Sequence, residues 1–258
     1  MKFQQLPSTF DENGYASQRQ HLSCFIVDDC VAIDAGSLAM AVSDVQREQI
    51  RDIVLTHAHL DHIAGLPVFI DDLFAGLTEP IRIHASREVA EIIERDILNW
   101  SVYPRFSELR NDKSAILEYK IFEVGENFRA RHLNIESISV NHKVPSVGFI
   151  VSDEKSSFAL TGDTTRMNHF WKYVNEKQNL SAILVECAFP DELANLAEVS
   201  HHLTPQILET ELQKCSQKDC PVFVVNIKAM YRDEVVSQLK RLKLNNLEVL
   251  EIGKVYEF

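Results

Sequence analysis

The stretch Thr56-His57-Ala58-His59-Leu60-Asp61-His62-Ile63-Ala64-Gly65 decides how the rest of the chain is read. It follows Ile53-Val54-Leu55, an apolar run suited to a buried strand. Residues two apart at the exit of a strand point to the same side, so His57 and His59 present their imidazoles together. Asp61 and His62 are adjacent in what reads as a turn into a helix, and they face a second point close to the first. Four metal-ligating side chains thus fall within the six positions 57–62. Held together without a cation they would repel one another or lie idle, so the segment reads as a metal site.

Outward from this stretch the pattern alternates. Upstream, Cys24-Phe25-Ile26-Val27 and Cys30-Val31-Ala32-Ile33-Asp34 are two β-rich runs around Asp28-Asp29, a hairpin signal, followed by a helical stretch over 40–49. Downstream, Gly65-Leu66-Pro67 opens a helix, with proline tolerated in the first turn. A strand over 81–84 and a helix over 87–98 complete the first half. The second half has strands at 135–140, 147–151, 158–160, 182–185, 222–225 and 247–252, with helices at 168–177, 204–214 and 233–240. Two strand-rich halves, each ending in helices, predict an α/β protein of two sheets packed face to face with helices outside. No Gly/Ser/Pro-rich linker interrupts it, so residues 1–258 read as a single domain.

Composition narrows the partners. The 258 residues are 45% apolar and 25% charged, enough for a large core. With 26 basic against 38 acidic residues the net charge is −12, which disfavours a broad nucleic-acid footprint or an anionic membrane surface. The start of the chain lacks a basic segment leading into an apolar one, and no window reaches the roughly 18 apolar residues of a membrane span, so the expected location is cytoplasmic. The five cysteines lack metal or redox spacing and read as free thiols packed as small hydrophobes.

The H-x-H-x-D-H run matches at every position the signature of the metallo-β-lactamase superfamily, which this chain resembles over nearly its whole length. The resemblance implies an αββα four-layer sandwich. His142, in Val140-Asn141-His142, looks like the family's third histidine, and Asp163, in Thr161-Gly162-Asp163-Thr164, looks like its bridging carboxylate. By resemblance His57, His59 and His142 hold one cation, and Asp61, His62 and Asp163 hold or bridge to another. The implied cofactors are two divalent ions, zinc first, with manganese or iron as alternatives. Two such ions about 3.5–4 Å apart share a water and turn it into the nucleophile.

Finer motifs resemble the class II cyclic-nucleotide phosphodiesterases. They are His57-x-His59-Leu60-Asp61-His62-Ile63-x-Gly65-Leu66, Leu98-Asn99-Trp100 with Tyr103-Pro104-Arg105-Phe106, Val185-Glu186-Cys187-Ala188-Phe189-Pro190, and His202-Leu203-Thr204-Pro205. The implied reaction is hydrolysis of a 3′,5′-cyclic nucleotide such as cAMP or cGMP to the 5′-monophosphate. The catalytic set so implied is Asp61, Glu186 and His202, with His202, oriented by Glu186, as the general acid for the departing 3′-oxygen. His201 should point elsewhere if the segment is extended. Trp100, Tyr103, Phe106 and Phe189 are aromatic candidates for stacking on a purine, and Lys228 is a candidate phosphate contact.

One residue departs from the family. Its metal site normally closes with a histidine in a His-Ile-Lys block, whereas Val225-Asn226-Ile227-Lys228 places Asn226 there. Asparagine offers a neutral carbonyl, a weaker ligand for zinc than imidazole, so the second cation is expected to be held more loosely. Two other readings stay open. One is a tRNA 3′-processing type of endonuclease or another hydrolase of the superfamily, which the acidity and the lack of a Gly/Pro-rich arm disfavour. The other is a nucleotide-binding sensor without turnover. The expected partner is a small cyclic nucleotide, and a homodimer through exposed apolar residues near Phe69 and Phe74 would be compatible with the family.

Overall fold

The computed structural model describes residues 1–178 and 180–258. The first half builds β1 (Lys2–Gln5), β2 (Phe25–Val27), β3 (Val31–Ile33), α1 (Leu38–Ala41), α2 (Asp44–Gln49), β4 (Asp52–Val54), α3 (Leu60–Ile63), α4 (Leu66–Leu73), β5 (Ile81–Ala85), α5 (Arg87–Ile92) and β6 (Leu117–Ile121). The second builds β7 (Asn127–Ala130), β8 (Leu133–Ser139), β9 (Val147–Ser152), β10 (Ser157–Leu160), α6 (Asn168–Glu176), β11 (Leu180–Glu186), α7 (Ala194–Ser200), α8 (Pro205–Leu212), β12 (Val222–Val225), α9 (Arg232–Arg241), β13 (Leu247–Val249) and β14 (Val255–Glu257).

These strands form two seven-stranded sheets, ordered β14-β1-β2-β3-β4-β5-β6 and β13-β12-β11-β10-β9-β8-β7. Each is half antiparallel and half parallel: β3 to β6 run parallel in the first, β10 to β13 in the second. The β2–β3 hairpin turns on Asp28 and Asp29, both at positive φ (47° and 57°), the backbone that matches the twist of a two-residue hairpin. Phe3, Phe25, Val54, Phe149, Phe158 and Leu184 fill the core between the sheets. Leu66, Phe69 and Ile93 belong to a second core beneath the first sheet's helices, and Phe170, Trp171 and Leu208 to a third beneath the second sheet's. The arrangement is the four-layer αββα sandwich expected above.

Several elements differ from the sequence reading. The helix expected over 40–49 is two helices, because Ser43 turns extended and caps α2 in a capping box with Gln46. The helix expected over 87–98 passes at residue 93 into a π-helical turn, Ile93–Ile97. The strand expected over 247–252 ends at Val249, and the separate β14 crosses to pair with β1, so the first sheet is closed by the last residues of the chain. Edge strands β6 and β7 and helix α7 fall outside the stretches read above; β6, Leu117-Glu118-Tyr119-Lys120-Ile121, does alternate as a strand should, whereas β7 is a short Asn-Phe-Arg-Ala run. Phe69 is fully buried and Phe74 is half-buried on the same core, so neither is the exposed side chain expected there; the exposed apolar residue of this helix is Val68. The cysteines are unbridged, four of them buried, as expected. No helix among the described residues is long and apolar enough to cross a membrane.

The turn after β3 carries the site. Ala35 N–H donates to the His62 carbonyl (2.7 Å), Gly36 N–H to the Ser23 carbonyl (2.8 Å), and Ser23 N–H to the Asp61 carbonyl (2.8 Å). A β-carbon on Gly36 would stand 2.0 Å from the Asp61 carbonyl oxygen and 2.8 Å from Ser23 backbone atoms. Only glycine admits this approach. Gly36→Ala is therefore expected to displace the 61–62 segment, costing on the order of 2–3 kcal/mol and lowering metal retention. Thermal denaturation together with metal content after desalting checks this; an unchanged melting temperature would show that the clamp is slack.

Candidate metal centre

The site gathers at the carboxyl ends of parallel strands, where an α/β sheet opens its crevice. His57, His59, Asp61 and His62 follow β4, Asp163 follows β10, Glu186 ends β11, and Asn226 follows β12. His142 comes from the loop after β8. Donor atoms of His57, His59, His142 and Asp163 lie within 4.8 Å of one another, as do those of Asp61, His62 and Asp163, and those of Asp163, Glu186 and His202. Asp163 belongs to all three groups, which makes it the centre of the arrangement.

Two imidazoles of the first group, His57 and His142, are oriented by what their Nδ1 atoms touch. His57 Nδ1 meets Thr56 Oγ1 at 3.0 Å, and that hydroxyl reaches both Asp34 oxygens at 3.0 and 2.9 Å. The hydroxyl proton therefore goes to Asp34, and His57 Nδ1–H donates to Thr56. His142 Nδ1–H donates to the His201 carbonyl at 3.1 Å, and His142 Nε2 faces His59 Nδ1 at 3.1 Å. Backbone or hydroxyl partners that fix the tautomer in this way are what metal-ligating histidines require. Burial, reinforced by His62, holds the His57 proton affinity well below the usual range, burial lowers that of His59, and burial brings His142 down to about 4. All three are neutral at physiological pH, with lone pairs available.

The donor set fits a cation. His57 Nε2 is buried without a hydrogen-bond partner among the described residues, and it lies 3.9 Å from Asp163 Oδ2. A buried polar nitrogen is rarely left unmatched, and a metal ion would satisfy it. On the other side His62 Nδ1 contacts Asp34 Oδ2 at 2.6 Å and His62 Nε2 lies 3.3 Å from Asp163 Oδ2. Burial opposes a charge on His62, but these two carboxylates hold its proton well above the ordinary imidazole value. Imidazole and carboxylate in this combination suit zinc, manganese or iron.

Behind the cluster, Glu186 is fully buried and its carboxylate is saturated. Oε1 accepts from Thr164 N–H (2.9 Å) and His202 Nδ1 (2.7 Å), and Oε2 from the N–H groups of Ala188 (3.0 Å) and Leu203 (3.3 Å). Burial would lower the His202 pKa, but the Glu186 charge and hydrogen bond raise it above the usual value. With Nδ1 engaged, His202 presents Nε2. Its ring stands 5.2 Å from that of His142 and packs edge-on to Phe189 at 5.6 Å.

The remaining sequence candidates divide. Asn226 Nδ2 donates to Asp163 Oδ1 (2.9 Å), and Lys228 Nζ pairs with Asp61 Oδ2 (3.0 Å). Both line a pocket with Gln20, His21, Leu22 and Ser23 that opens on Asp61, His62 and Asp163. Phe106 is 1% exposed within the core under the first sheet, so it is packed away from any ligand and is withdrawn as a stacking residue. Trp100 is exposed, but its indole N–H reaches Glu108 and its backbone N–H the Tyr103 carbonyl, contacts that belong to the 94–108 segment. His201 is not extended: it ends α7 in the left-handed region (φ 57°), its ring on Asn141 and its carbonyl on His142.

Two positioning residues escaped the sequence reading, Asp34 and Thr56. The available signal was an acidic residue ending an apolar strand, and a hydroxyl immediately before His57. Thr56→Val keeps the shape and removes only the hydroxyl that orients His57. Metal affinity is expected to fall roughly 10–100-fold, readable by titration against a chelator, and an unchanged affinity would remove Thr56 from the relay.

Comparison with known proteins bears on the fold and the family. A probable 3′,5′-cyclic-nucleotide phosphodiesterase of Yersinia pestis is 26% identical over 227 residues, 78% of this chain; the chain spans 63% of that protein's length. The structure of unliganded yeast PDE1 superposes with a TM-score of 0.78 at 18% identity, covering 98% of each chain. The metallo-β-lactamase fold protein YhfI from Bacillus subtilis superposes with a TM-score of 0.73 at 14% identity, covering 99% of each. The fold is therefore the metallo-β-lactamase fold. The family model described as Anti-Pycsar protein Apyc1 matches residues 16–218, most of the sandwich and all of the cluster up to His202, and the chain belongs to that family.

Proposed function

We propose that the protein is a metal-dependent phosphodiesterase that hydrolyses a 3′,5′-cyclic nucleotide to the 5′-monophosphate. The observation that carries this reading is the Glu186–His202 pair, saturated with hydrogen bonds and set beside a cluster of three neutral imidazoles and a shared carboxylate. The likeness to the Yersinia pestis phosphodiesterase supports the substrate class.

His57, His59, His142 and Asp163 would hold the cation, with Asp61 and His62 on its other side. When bound, such an ion supplies positive charge for the phosphoryl oxygens and acidifies water. The chain's own groups do the rest. Water oxygen bonds to phosphorus as the bond from phosphorus to the 3′-oxygen breaks, the proton on His202 Nε2 passes to that oxygen, and the proton shed by the water reprotonates His202 through solvent, so that no net proton is consumed. Glu186 keeps the imidazolium populated before transfer and fixes the ring. Asp61 holds the Lys228 ammonium at the mouth of the pocket, a local positive charge in a protein of net charge −12. Remote surface charges are screened over about 8 Å at physiological salt, so an anionic substrate meets chiefly these local groups.

Chromatographic product analysis tests the reading, using cAMP and cGMP with protein reconstituted separately with zinc and manganese. The expected result is 5′-monophosphate that is absent from an Asp163→Ala control. No product from either nucleotide, at verified metal content, would overturn it in favour of another ester substrate or a binding protein without turnover.

A further inference from the structure

The second donor set contains Asp61, His62 and Asp163, and one oxygen of each carboxylate is already engaged by a neighbouring side chain. Asn226 Nδ2 donates to Asp163 Oδ1 at 2.9 Å while Ser23 Oγ donates to Asn226 Oδ1 at 3.2 Å. The amide therefore turns its donor side, not its carbonyl, toward the shared carboxylate. Lys228 Nζ sits 3.0 Å from Asp61 Oδ2, and its backbone is tied on several sides. Lys228 N–H donates to the Ala188 carbonyl, its own carbonyl accepts from Tyr231 N–H, and it forms a bridge with Gln20. The lysine is anchored at the site rather than trailing from the surface.

A second dication here would compete with an ammonium for Asp61 and with an amide for Asp163, and would bind with a single imidazole. Charge points the same way. One dication and Lys228 against Asp61 and Asp163 leave one net positive charge, which a phosphodiester anion neutralises. A second dication would add further positive charge in a site whose shared carboxylate is almost fully buried.

We propose that the protein works with a single divalent ion, held by His57, His59, His142 and Asp163, and that the Lys228 ammonium, held by Asp61, stands where a second cation would bind and contacts a phosphoryl oxygen of the substrate. This rests on the metal-centre reading above, and metal content separates the two.

Protein equilibrated with excess zinc or manganese, then desalted, is expected to retain one ion per chain, with a six-line manganese EPR spectrum of an isolated ion. The double variant Asn226→His/Lys228→Gln is expected to retain two, with an exchange-coupled spectrum. Lys228→Gln alone should keep one ion but raise KM for the phosphodiester at least about tenfold, the worth of a charged hydrogen bond, with partial recovery in Lys228→Arg. Two tightly held ions in the wild type, a double variant that still binds one, or an unchanged KM in Lys228→Gln would each overturn the inference. No retained metal would instead overturn the metal-centre reading itself.

Discussion

Asp163→Ala is expected to lose metal and turnover together, the largest effect of any single change in this chain. Asp163 is common to all three donor groups, with Oδ2 lying 3.9 Å from His57 Nε2 and 3.3 Å from His62 Nε2. Burial would raise its carboxyl, but the charge and hydrogen bond of His62 hold it well below the usual range, so the negative charge is present at physiological pH. Without it the three imidazoles offer a cation no counter-charge, and Asn226 loses its acceptor. Positioning partners alone change metal affinity 10–100-fold, so loss of the shared carboxylate is expected to cost at least about 100-fold, with activity falling in proportion. Metal analysis and phosphodiester turnover on the same preparation check this, with far-ultraviolet circular dichroism to confirm folding. Asp163→Asn, nearly isosteric, guards against a variant that merely unfolds. Wild-type metal content and turnover in Asp163→Asn would remove Asp163 from the centre.

His202→Ala should separate chemistry from metal binding. Its imidazole is held by Glu186 rather than by the ligand cluster, so metal content is expected to stay at the wild-type level while kcat for a cyclic nucleotide falls roughly 10²–10⁴-fold. The loss should depend on the leaving group: large for a sugar alkoxide, which must be protonated as it departs, and small for p-nitrophenolate, which need not be. Equal losses on both substrates would refute a general acid. The pH profile adds a second check. Glu186 raises the His202 pKa, so the required imidazolium is present below that raised value and the rate falls as pH rises through it. In Glu186→Gln the support is lost and this alkaline limb should move to lower pH. A limb that stays in place would assign it to another group.

Legibility in the sequence followed the range of the interactions. His57, His59, Asp61 and His62 lie within six consecutive positions after a buried strand, so local geometry sufficed to recognise them. His142, Asp163, Glu186 and His202 stood out only in family order, and the fold then brought them to the same crevice. The two-sheet architecture was legible because alternating strand and helix runs have few ways to bury their apolar faces.

What sequence alone could determine, then, was the layer architecture and the ligand-rich stretch, both set by short-range periodicity and residue chemistry. Tertiary structure decided everything that depends on distant partners. It brought β14 back to β1, sealed Phe106 and Phe69 in the core, and turned His201 so that its backbone rather than its ring serves His142. It also set Asp34 and Thr56 behind the ligands and turned the Asn226 amide toward Asp163. The physical reason is that a polar side chain's role is fixed by which group satisfies its hydrogen-bonding capacity once water is excluded, and that partner can lie anywhere along the chain.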